Sequence, residues 1–184
     1  MEQTDESIVS QVLQGDTQAF EILICRYQNQ IYNLMYRCSR SPEDAADLTQ
    51  DVFCKTFEKL NHFQRKRSFF SWLYTLSMNH ARDWLRKQKR QVQETSFPPT
   101  QEPTQQRQKS PVEQVEDQER MDRVTQAMMT LPLEKRELLM LRYHYDHSIT
   151  ELAEIFELTP SAVKMRLHRS LAELQKRLGG DTDA

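Results

Sequence analysis

The segment from His62 to Arg90 holds the residues of this 184-residue sequence whose types and spacing most clearly suggest chemistry. It contains eight lysines and arginines against one acidic residue, Asp83, and so carries a charge of +7, although the whole chain carries −2. Cations neutralise phosphates and aromatic rings stack on bases, a combination typical of surfaces that bind single-stranded nucleic acid. Duplex phosphates would need the cations but not the rings. The segment therefore predicts contact with unpaired bases.

A helix from about Ser68 to Lys89 must position these side chains. Helical spacing divides its residues between two faces. The row expected to face the core comprises Phe69, Leu73, Leu76 and His80, and a different face carries Trp72, Thr75, Asn79, Arg82 and Arg86. The alternative is that the aromatic residues only fill the core and the cations only solubilise the surface. That alternative is expected to hold for Phe69 and Leu73, while both interpretations stay open for Trp72.

The preceding helix is acidic on one side and apolar on the other. It begins at "SPED", where Ser41 can cap it and Pro42 fits its first turn, and it continues to about Leu60. Its apolar face comprises Ala45, Leu48, Val52, Phe53, Phe57 and Leu60, and the opposite acidic stripe comprises Asp44, Asp47, Asp51 and Glu58. Such a stripe is either a solvated surface or a docking face for a basic partner.

The C-terminal part has the pattern of a helix-turn-helix. Leucines at helical spacing follow Pro132, and "SITE" then offers a capping box in which Ser148 and Glu151 cap a short helix. After a tight turn, Thr159 and Pro160 begin the last helix. Two helices joined by so short a turn indicate a DNA-binding helix-turn-helix.

The last helix has the charge of a recognition helix, since five lysines and arginines stand against one glutamate, Glu173, giving +4. The predicted buried row comprises Val163, Leu167, Leu171, Leu174 and Leu178. The outward and flanking residues include Ser161, Lys164, Met165, Arg166, His168 and Arg169. A recognition helix presents its N-terminal residues to base edges in the major groove and anchors cations on phosphates. The sequence therefore predicts binding to duplex DNA.

The composition as a whole predicts an all-α protein of two small helical domains, because glycine is scarce and helix formers dominate. Pro, Gln, Ser and Thr are concentrated in residues 91–112, which predicts a flexible linker between an N-terminal domain, 1–90, and a C-terminal domain, 113–184. The sequence shows no apolar run long enough to span a membrane, no secretion signal, and cysteines without disulfide or metal-site spacing. We expect a cytoplasmic protein without stable membrane insertion.

Two stretches together carry a family resemblance. "DAADLTQDVFCKTFEKL" followed by "SFFSWLYTLSMNHARDWLRK" resembles the second conserved region of bacterial extracytoplasmic-function (ECF) sigma factors of the sigma-70 family, and "LPLEKRELLMLRYHYDHSITELAEIFELTPSAVKMRLHRSLAEL" resembles their fourth region. The resemblance implies a transcription initiation factor that binds core RNA polymerase and promoter DNA and is commonly held inactive by an anti-sigma factor. It implies no catalytic residue, no cofactor, no metal and no small-molecule substrate.

The resemblance also implies three sets of contact residues. Core polymerase would be bound by Asp44, Asp47, Leu48, Gln50, Asp51 and Phe53. The minus-ten element would be bound and opened by Asn61, His62, Phe63, Gln64, Arg65, Lys66, Arg67, Trp72, Asn79, Arg82 and Arg86. The minus-thirty-five element would be recognised by Ser161, Ala162, Lys164, Met165, Arg166, His168 and Arg169.

Four positions depart from the family pattern. Glu157 replaces the usual turn glycine, His147 stands where glycine is common, and Ser161 and Ala162 replace a glycine and a threonine. A non-glycine residue in a left-handed turn costs about 1–2 kcal/mol. None of these changes removes a cation, so they bear on turn geometry and promoter preference more than on DNA binding.

Two other functions compete with this interpretation. The first is a metal enzyme, because "YHYDHS" places His144, Asp146 and His147 close together in the sequence. The two histidines are only three residues apart, however, and neither a further ligand of suitable spacing nor a nucleophile motif is evident. The second alternative is a helix-turn-helix regulator whose N-terminal half senses a ligand or dimerises. The basic aromatic helix distinguishes it, because strand opening needs such a helix and a sensor does not.

Overall fold

The computed structural model describes residues 3–64, 67–94 and 113–179, and these ranges contain helices and no strand, which confirms the all-α prediction. The α-helices are α1 (Asp5–Leu13), α2 (Phe20–Ser39), α3 (Pro42–Glu58), α4 (Phe69–Glu94), α5 (Glu113–Thr130), α6 (Leu133–Tyr143), α7 (Ile149–Phe156) and α8 (Pro160–Gly179). Short 3-10 turns, Thr17–Ala19 and Leu60–His62, precede α2 and follow α3. Within the described ranges, no helix combines the length and apolar content that crossing a bilayer requires.

The helices begin where the sequence supplies capping groups. Ser41 Oγ accepts a hydrogen bond from the backbone N–H of Asp44 (3.2 Å), with Pro42 in the first turn of α3. At the start of α7, Ser148 Oγ accepts from the Glu151 N–H (3.2 Å), and the Glu151 carboxylate accepts from the Ser148 N–H (2.8 Å). The predicted capping box is therefore confirmed.

Helix α4 extends further than the sequence pattern predicts. It ends at Glu94 rather than at about Lys89, so the first four residues of the predicted linker are helical. The physical reason is that "QVQE" contains neither glycine nor proline. Other residue types extend an existing helix at little cost in free energy. The remainder of the predicted linker, 95–112, lies outside the described residues.

Buried apolar side chains from α1, α2, α3 and α4 form the core of the N-terminal half. Ile8, Leu23, Leu34, Phe69 and Leu73 are each 0% exposed. Phe69 and Leu73 thus take the core positions that their spacing predicts. Because this row of α4 points into the core, the row that begins at Trp72 is turned toward another side of the helix.

The C-terminal half contains the predicted helix-turn-helix. Leu141 of α6, Leu152 of α7 and Val163 of α8 are 0% exposed and pack together. A turn of only three residues, 157–159, joins α7 to α8. Its first residue, Glu157, adopts a left-handed conformation with φ 54° and ψ 47°, as its place in the turn suggests.

The two halves are in contact, which the sequence does not predict. Helix α7 packs against α4, and Thr75 Oγ1 donates a hydrogen bond to the Ile155 carbonyl oxygen (3.0 Å). The rings of Phe70 and His147 stack with their centroids 4.5 Å apart and their planes 6° from parallel. The helix-turn-helix therefore lies along one side of the basic aromatic helix.

We predict that Glu157→Gly raises the free energy of unfolding by about 1 kcal/mol, because glycine removes most of the cost of left-handed backbone but has greater entropy when unfolded. The exposed ion pair that would be lost, 3.7 Å between Glu157 and Arg67, contributes little. Urea denaturation followed by circular dichroism measures the change. Glu154→Gly, inside α7, is the control and should lower stability by about 1 kcal/mol. A Glu157→Gly variant less stable than the parent would contradict the prediction.

Candidate nucleic-acid interface

The acidic stripe of α3 is exposed along its length, and Gln50 is exposed beside it. Asp51 lies 3.6 Å from Nε2 of His80. Burial lowers the pKa of His80, and the positive charge of Lys55 lowers it further, so the imidazole is neutral near pH 7. The Asp51 charge is therefore not compensated by this histidine and stays available to a basic partner.

Two of the predicted polymerase contacts, Leu48 and Phe53, are largely buried in the core. Each is only 6% exposed, because the same apolar face that orients α3 is covered by its neighbouring helices. These side chains hold α3 in place, while the other predicted contacts, Asp44, Asp47, Gln50 and Asp51, are exposed. Phe53 also lines an open groove between α2 and α3, and contact of either residue with polymerase stays a prediction.

An open apolar groove of about 740 Å³ lies between α2 and α3. Phe57 reaches it with 42% of its surface exposed, although the helical pattern places this residue on the buried face of α3. The physical reason is that α2 covers only part of that face. Other residues that line the groove are Phe20, Ile24, Tyr32, Phe53 and Cys54.

The loop after α3 presents most of its predicted contact residues to solvent. Asn61, His62 and Gln64 are exposed, and Phe63 is half-buried. The Phe63 ring lies 5.4 Å from the Trp72 ring, measured between centroids. The two predicted contacts between Gln64 and Arg67, which are Arg65 and Lys66, lie outside the described residues.

The outer face of α4 carries its predicted DNA-contact side chains in one row at helical spacing. Trp72 is half-buried, with its ring centroid 5.9 Å from that of Phe69, and Asn79 is exposed. Arg82 donates to the Asn79 side-chain oxygen (2.7 Å), and Arg86, 73% exposed, pairs with Asp83. An aromatic ring, an amide and two guanidinium groups thus share one surface.

The predicted recognition residues of α8 are turned outward. Ser161, Lys164, Met165, His168 and Arg169 are exposed, as is Arg166, and Ala162 is half-buried. Val163 and Leu167 face the core, as the predicted buried row requires. The orientation of α8 therefore leaves its cationic side free of the C-terminal core.

A buried carboxylate, that of Glu137, joins the two halves and was missed by the sequence reasoning. It is 0% exposed and accepts hydrogen bonds from Arg37 Nε (2.8 Å), from Arg37 Nη2 and from the Tyr74 hydroxyl (2.8 Å). A signal for it exists, because Glu137 lies four residues from both Leu133 and Leu141, on an apolar side of α6. A carboxylate on such a row requires buried partners.

Both donors to Glu137 keep their protons at physiological pH. Burial alone would lower the pKa of Arg37, but the hydrogen bonds and charge of Glu137 outweigh burial and raise it. Burial raises the pKa of Tyr74 far above its ordinary value, and the negative charge of Glu137 raises it further. The network therefore stays hydrogen-bonded over the pH range of living cells.

Both histidines of "YHYDHS" contact other side chains of the protein. His147 stacks on Phe70 and lies 3.6 Å from the Glu151 carboxylate, and the His144 ring contacts Tyr145 edge-on at 4.7 Å between centroids. Among residues 3–64, 67–94 and 113–179, no three side chains of the metal-binding types are grouped so that they could hold an ion.

Two family models match the chain in succession. Sigma-70 region 2 matches residues 23–91, which include α3 and the outer face of α4, and Sigma-70, region 4 matches residues 121–174, which include the helix-turn-helix. Together they cover most of the surfaces described above.

Full-length relatives and solved structures agree with this order of regions. The ECF RNA polymerase sigma factor SigW of Bacillus subtilis is 29% identical over 97% of this chain and 98% of its own, and the RNA polymerase sigma-H factor of Pseudomonas aeruginosa is 26% identical over 96% and 95%. The fold is similar to that of CnrH, solved with the cytosolic domain of CnrY, at a TM-score of 0.68 with 23% identity over 95% of this chain and 97% of that one. With both regions present in the order of the family, the chain belongs to the extracytoplasmic-function sigma factors of the sigma-70 family.

Proposed function

We propose that this chain, as an alternative sigma factor, binds core RNA polymerase and directs it to specific promoters. Residues 1–90 bind polymerase and the minus-ten element, residues 113–184 bind the minus-thirty-five element, and residues 91–112 link them. The observation that carries the proposal is the presence in one chain of an outward recognition helix, α8, and of a helix, α4, whose outer face combines Trp72 with an amide and arginines.

Strand opening on this model needs no bond-breaking residue. Extruding a base costs a few kcal/mol, and stacking on an aromatic ring returns about 1–3 kcal/mol per base. Trp72 and Phe63, whose rings lie 5.4 Å apart, are the aromatic groups to which we assign this stacking. The protein therefore acts through binding and is not an enzyme, and its place of action is the cytoplasm, where promoters lie.

An anti-sigma factor is the proposed regulatory partner. The sigma factor RpoE of Bartonella quintana, which has a similar fold at a TM-score of 0.67 and 21% identity over 90% of this chain, was solved in complex with the anti-sigma factor NepR. In this chain the acidic stripe and the apolar groove of α2 and α3 are exposed together, and both suit a protein partner.

Run-off transcription tests the proposed function. The purified chain is added to core polymerase on fragments of the source genome, and the start sites are mapped. We expect initiation from a defined set of promoters that share two elements. If the chain binds duplex DNA but starts no transcription with core polymerase, the regulator with a sensing or dimerising N-terminal half is the better description.

We predict that Asp47→Lys weakens binding to core polymerase by about tenfold, because it places a cation against the basic surface that the acidic stripe is proposed to meet. Fluorescence anisotropy with labelled chain measures the affinity. Glu21→Lys makes the same charge change at an exposed position of α2 and serves as the control. Equal losses from both variants would show that net charge alone, and not the stripe, governs docking.

We predict that Trp72→Leu impairs promoter opening more than initial binding, since leucine keeps much of the buried volume but cannot stack on a base. Permanganate reactivity of unpaired thymines measures opening. Trp84→Leu, on another side of α4, controls for loss of an indole.

Arg86→Gln should instead weaken binding to all sequences and reduce the slope of log affinity against log salt by about 1. Similar effects of Trp72→Leu and Arg86→Gln would mean that the tryptophan is wrongly assigned.

A further inference from the structure

A polar cleft of about 390 Å³ lies between α3 and α4, at the edge of the acidic stripe. This volume is within the range of sites that bind small molecules. The ionisable side chains that line the cleft form two rows at helical spacing: Asp51 and Lys55 on α3, and His80, Asp83, Lys87 and Arg90 on α4. Only Asp51 among these is a proposed contact of polymerase or promoter, so the proposed function does not account for the cleft.

The cleft carries more cations than its carboxylates neutralise. Arg86, which also lines it, pairs with Asp83, so these two charges cancel. Three further cations, Lys55, Lys87 and Arg90, are exposed, and none of them forms an ion pair within the described ranges of the chain. Set against the one remaining carboxylate, that of Asp51, these three cations leave a charge of +2. Such a surplus on a concave surface attracts anions.

His80 supplies the cleft with an unused hydrogen-bond donor. Lys55 Nζ lies 2.8 Å from His80 Nδ1, and because an ammonium group can only donate, Nδ1 is the acceptor. The single proton of the neutral ring is therefore on Nε2, which is buried and has no hydrogen-bond partner among the described residues. An Asp51 carboxylate oxygen lies 3.6 Å from Nε2, which is too far for a hydrogen bond. Because an unpaired buried N–H is costly, an acceptor from outside the chain is favoured here.

The Asp51 carboxylate stands where such an acceptor would enter. Its side chain is 63% exposed, so it can turn into solvent and uncover the His80 ring. A phosphate oxygen in its place accepts from Nε2 and lies near the Lys55 ammonium, which contacts the other side of the same ring. Ammonium, guanidinium and N–H donors are the groups that bind phosphate in proteins.

We propose that this cleft binds the phosphates of a free nucleoside di- or triphosphate. His80 and Lys55 hold one phosphate group, and Lys87 and Arg90 neutralise the others. The DNA backbone offers the same oxygens, but its charges are spread along the strand at one per phosphate. A nucleoside triphosphate concentrates several charges in a space of this size, as a cluster of unpaired cations requires. The inference goes beyond the proposed function and does not depend on it.

Isothermal titration calorimetry of the full chain tests the proposal. The probes are ATP, adenosine, and a random-sequence single strand of about 20 nucleotides, a length sufficient to cross one binding groove. We expect ATP to bind, and adenosine, which has no phosphate, to show no binding up to millimolar concentration. Lys87→Gln should weaken ATP binding about tenfold, as loss of a charge-assisted contact requires. Lys89→Gln is the control, since it makes the same change at an exposed position of α4 outside the cleft, and its effect should stay below about twofold.

A substitution of the opposite sign checks the position of the phosphate. Asp51→Asn removes the carboxylate that the phosphate must displace, so it should tighten ATP binding about threefold. Glu21→Gln removes the same charge from an exposed position of α2 and should leave ATP binding unchanged. All four substitutions are at exposed positions, and circular dichroism should show the fold of the parent in each.

Equal losses of ATP affinity in Lys87→Gln and Lys89→Gln would overturn the proposal, because net charge alone would then govern binding. An ATP affinity no greater than that of adenosine would overturn it as well. If Lys87→Gln weakens binding of the single strand while ATP does not bind, the cleft belongs to the DNA surface and the nucleotide site is rejected. Calorimetry with ATP needs neither polymerase nor promoter, so failure of run-off transcription would reject the proposed function and leave the cleft to be judged by itself.

Discussion

The buried carboxylate of Glu137 is the interaction on which the arrangement of the halves depends. Apolar contacts are non-directional and tolerate sliding, whereas a carboxylate bound by a guanidinium and a phenol has fixed geometry. Removing a charge from water costs several kcal/mol per ion before any partner is counted. Arg37 and Tyr74, from two different helices, supply those partners, so the position of α6 against α2 and α4 follows from hydrogen bonding.

The net charge of −2 conceals surfaces of opposite sign on the same small protein. The acidic stripe of α3 and the basic face of α4 lie on adjacent helices, yet the partners proposed for them differ. Electrostatic attraction between exposed charges fades beyond about 8–10 Å at physiological salt. Asp51 of the stripe and Arg86 of α4 nevertheless line one cleft, so the two surfaces border each other. Acidic groups of the C-terminal half also meet arginines of the N-terminal half, Glu134 at Arg82 and Glu157 at Arg67.

Sequence alone predicts the parts of this fold that depend on local chemistry. Ser41 and the pair Ser148 and Glu151 mark helix starts because caps satisfy nearby backbone N–H groups. The outer row of α8 follows from its inner row, since Val163 and Leu167 fix which side faces the core. The common surface of Trp72, Asn79 and the arginines of α4 follows in the same way from helical spacing.

The features that sequence does not give are set by how one helix covers another. Amphipathic spacing identifies the apolar face of α3, but it does not show that Leu48 and Phe53 are covered while Phe57 remains 42% exposed. The burial and partners of Glu137 are harder still to predict, because its hydrogen-bond donors, Arg37 and Tyr74, are distant from it along the chain. Only a packed structure brings those three residues together.

The capping box of α7 makes the start of that helix independent of the N-terminal half. Ser148 and Glu151 satisfy each other's backbone groups locally, whereas the contact with α4 runs through Thr75 and the Ile155 carbonyl. Substitutions on α2 or α4 can therefore weaken or strengthen the contact between the halves without unfolding the first turn of α7. The strength of the contact between the halves and the stability of α7 can therefore change independently, through substitutions at different residues.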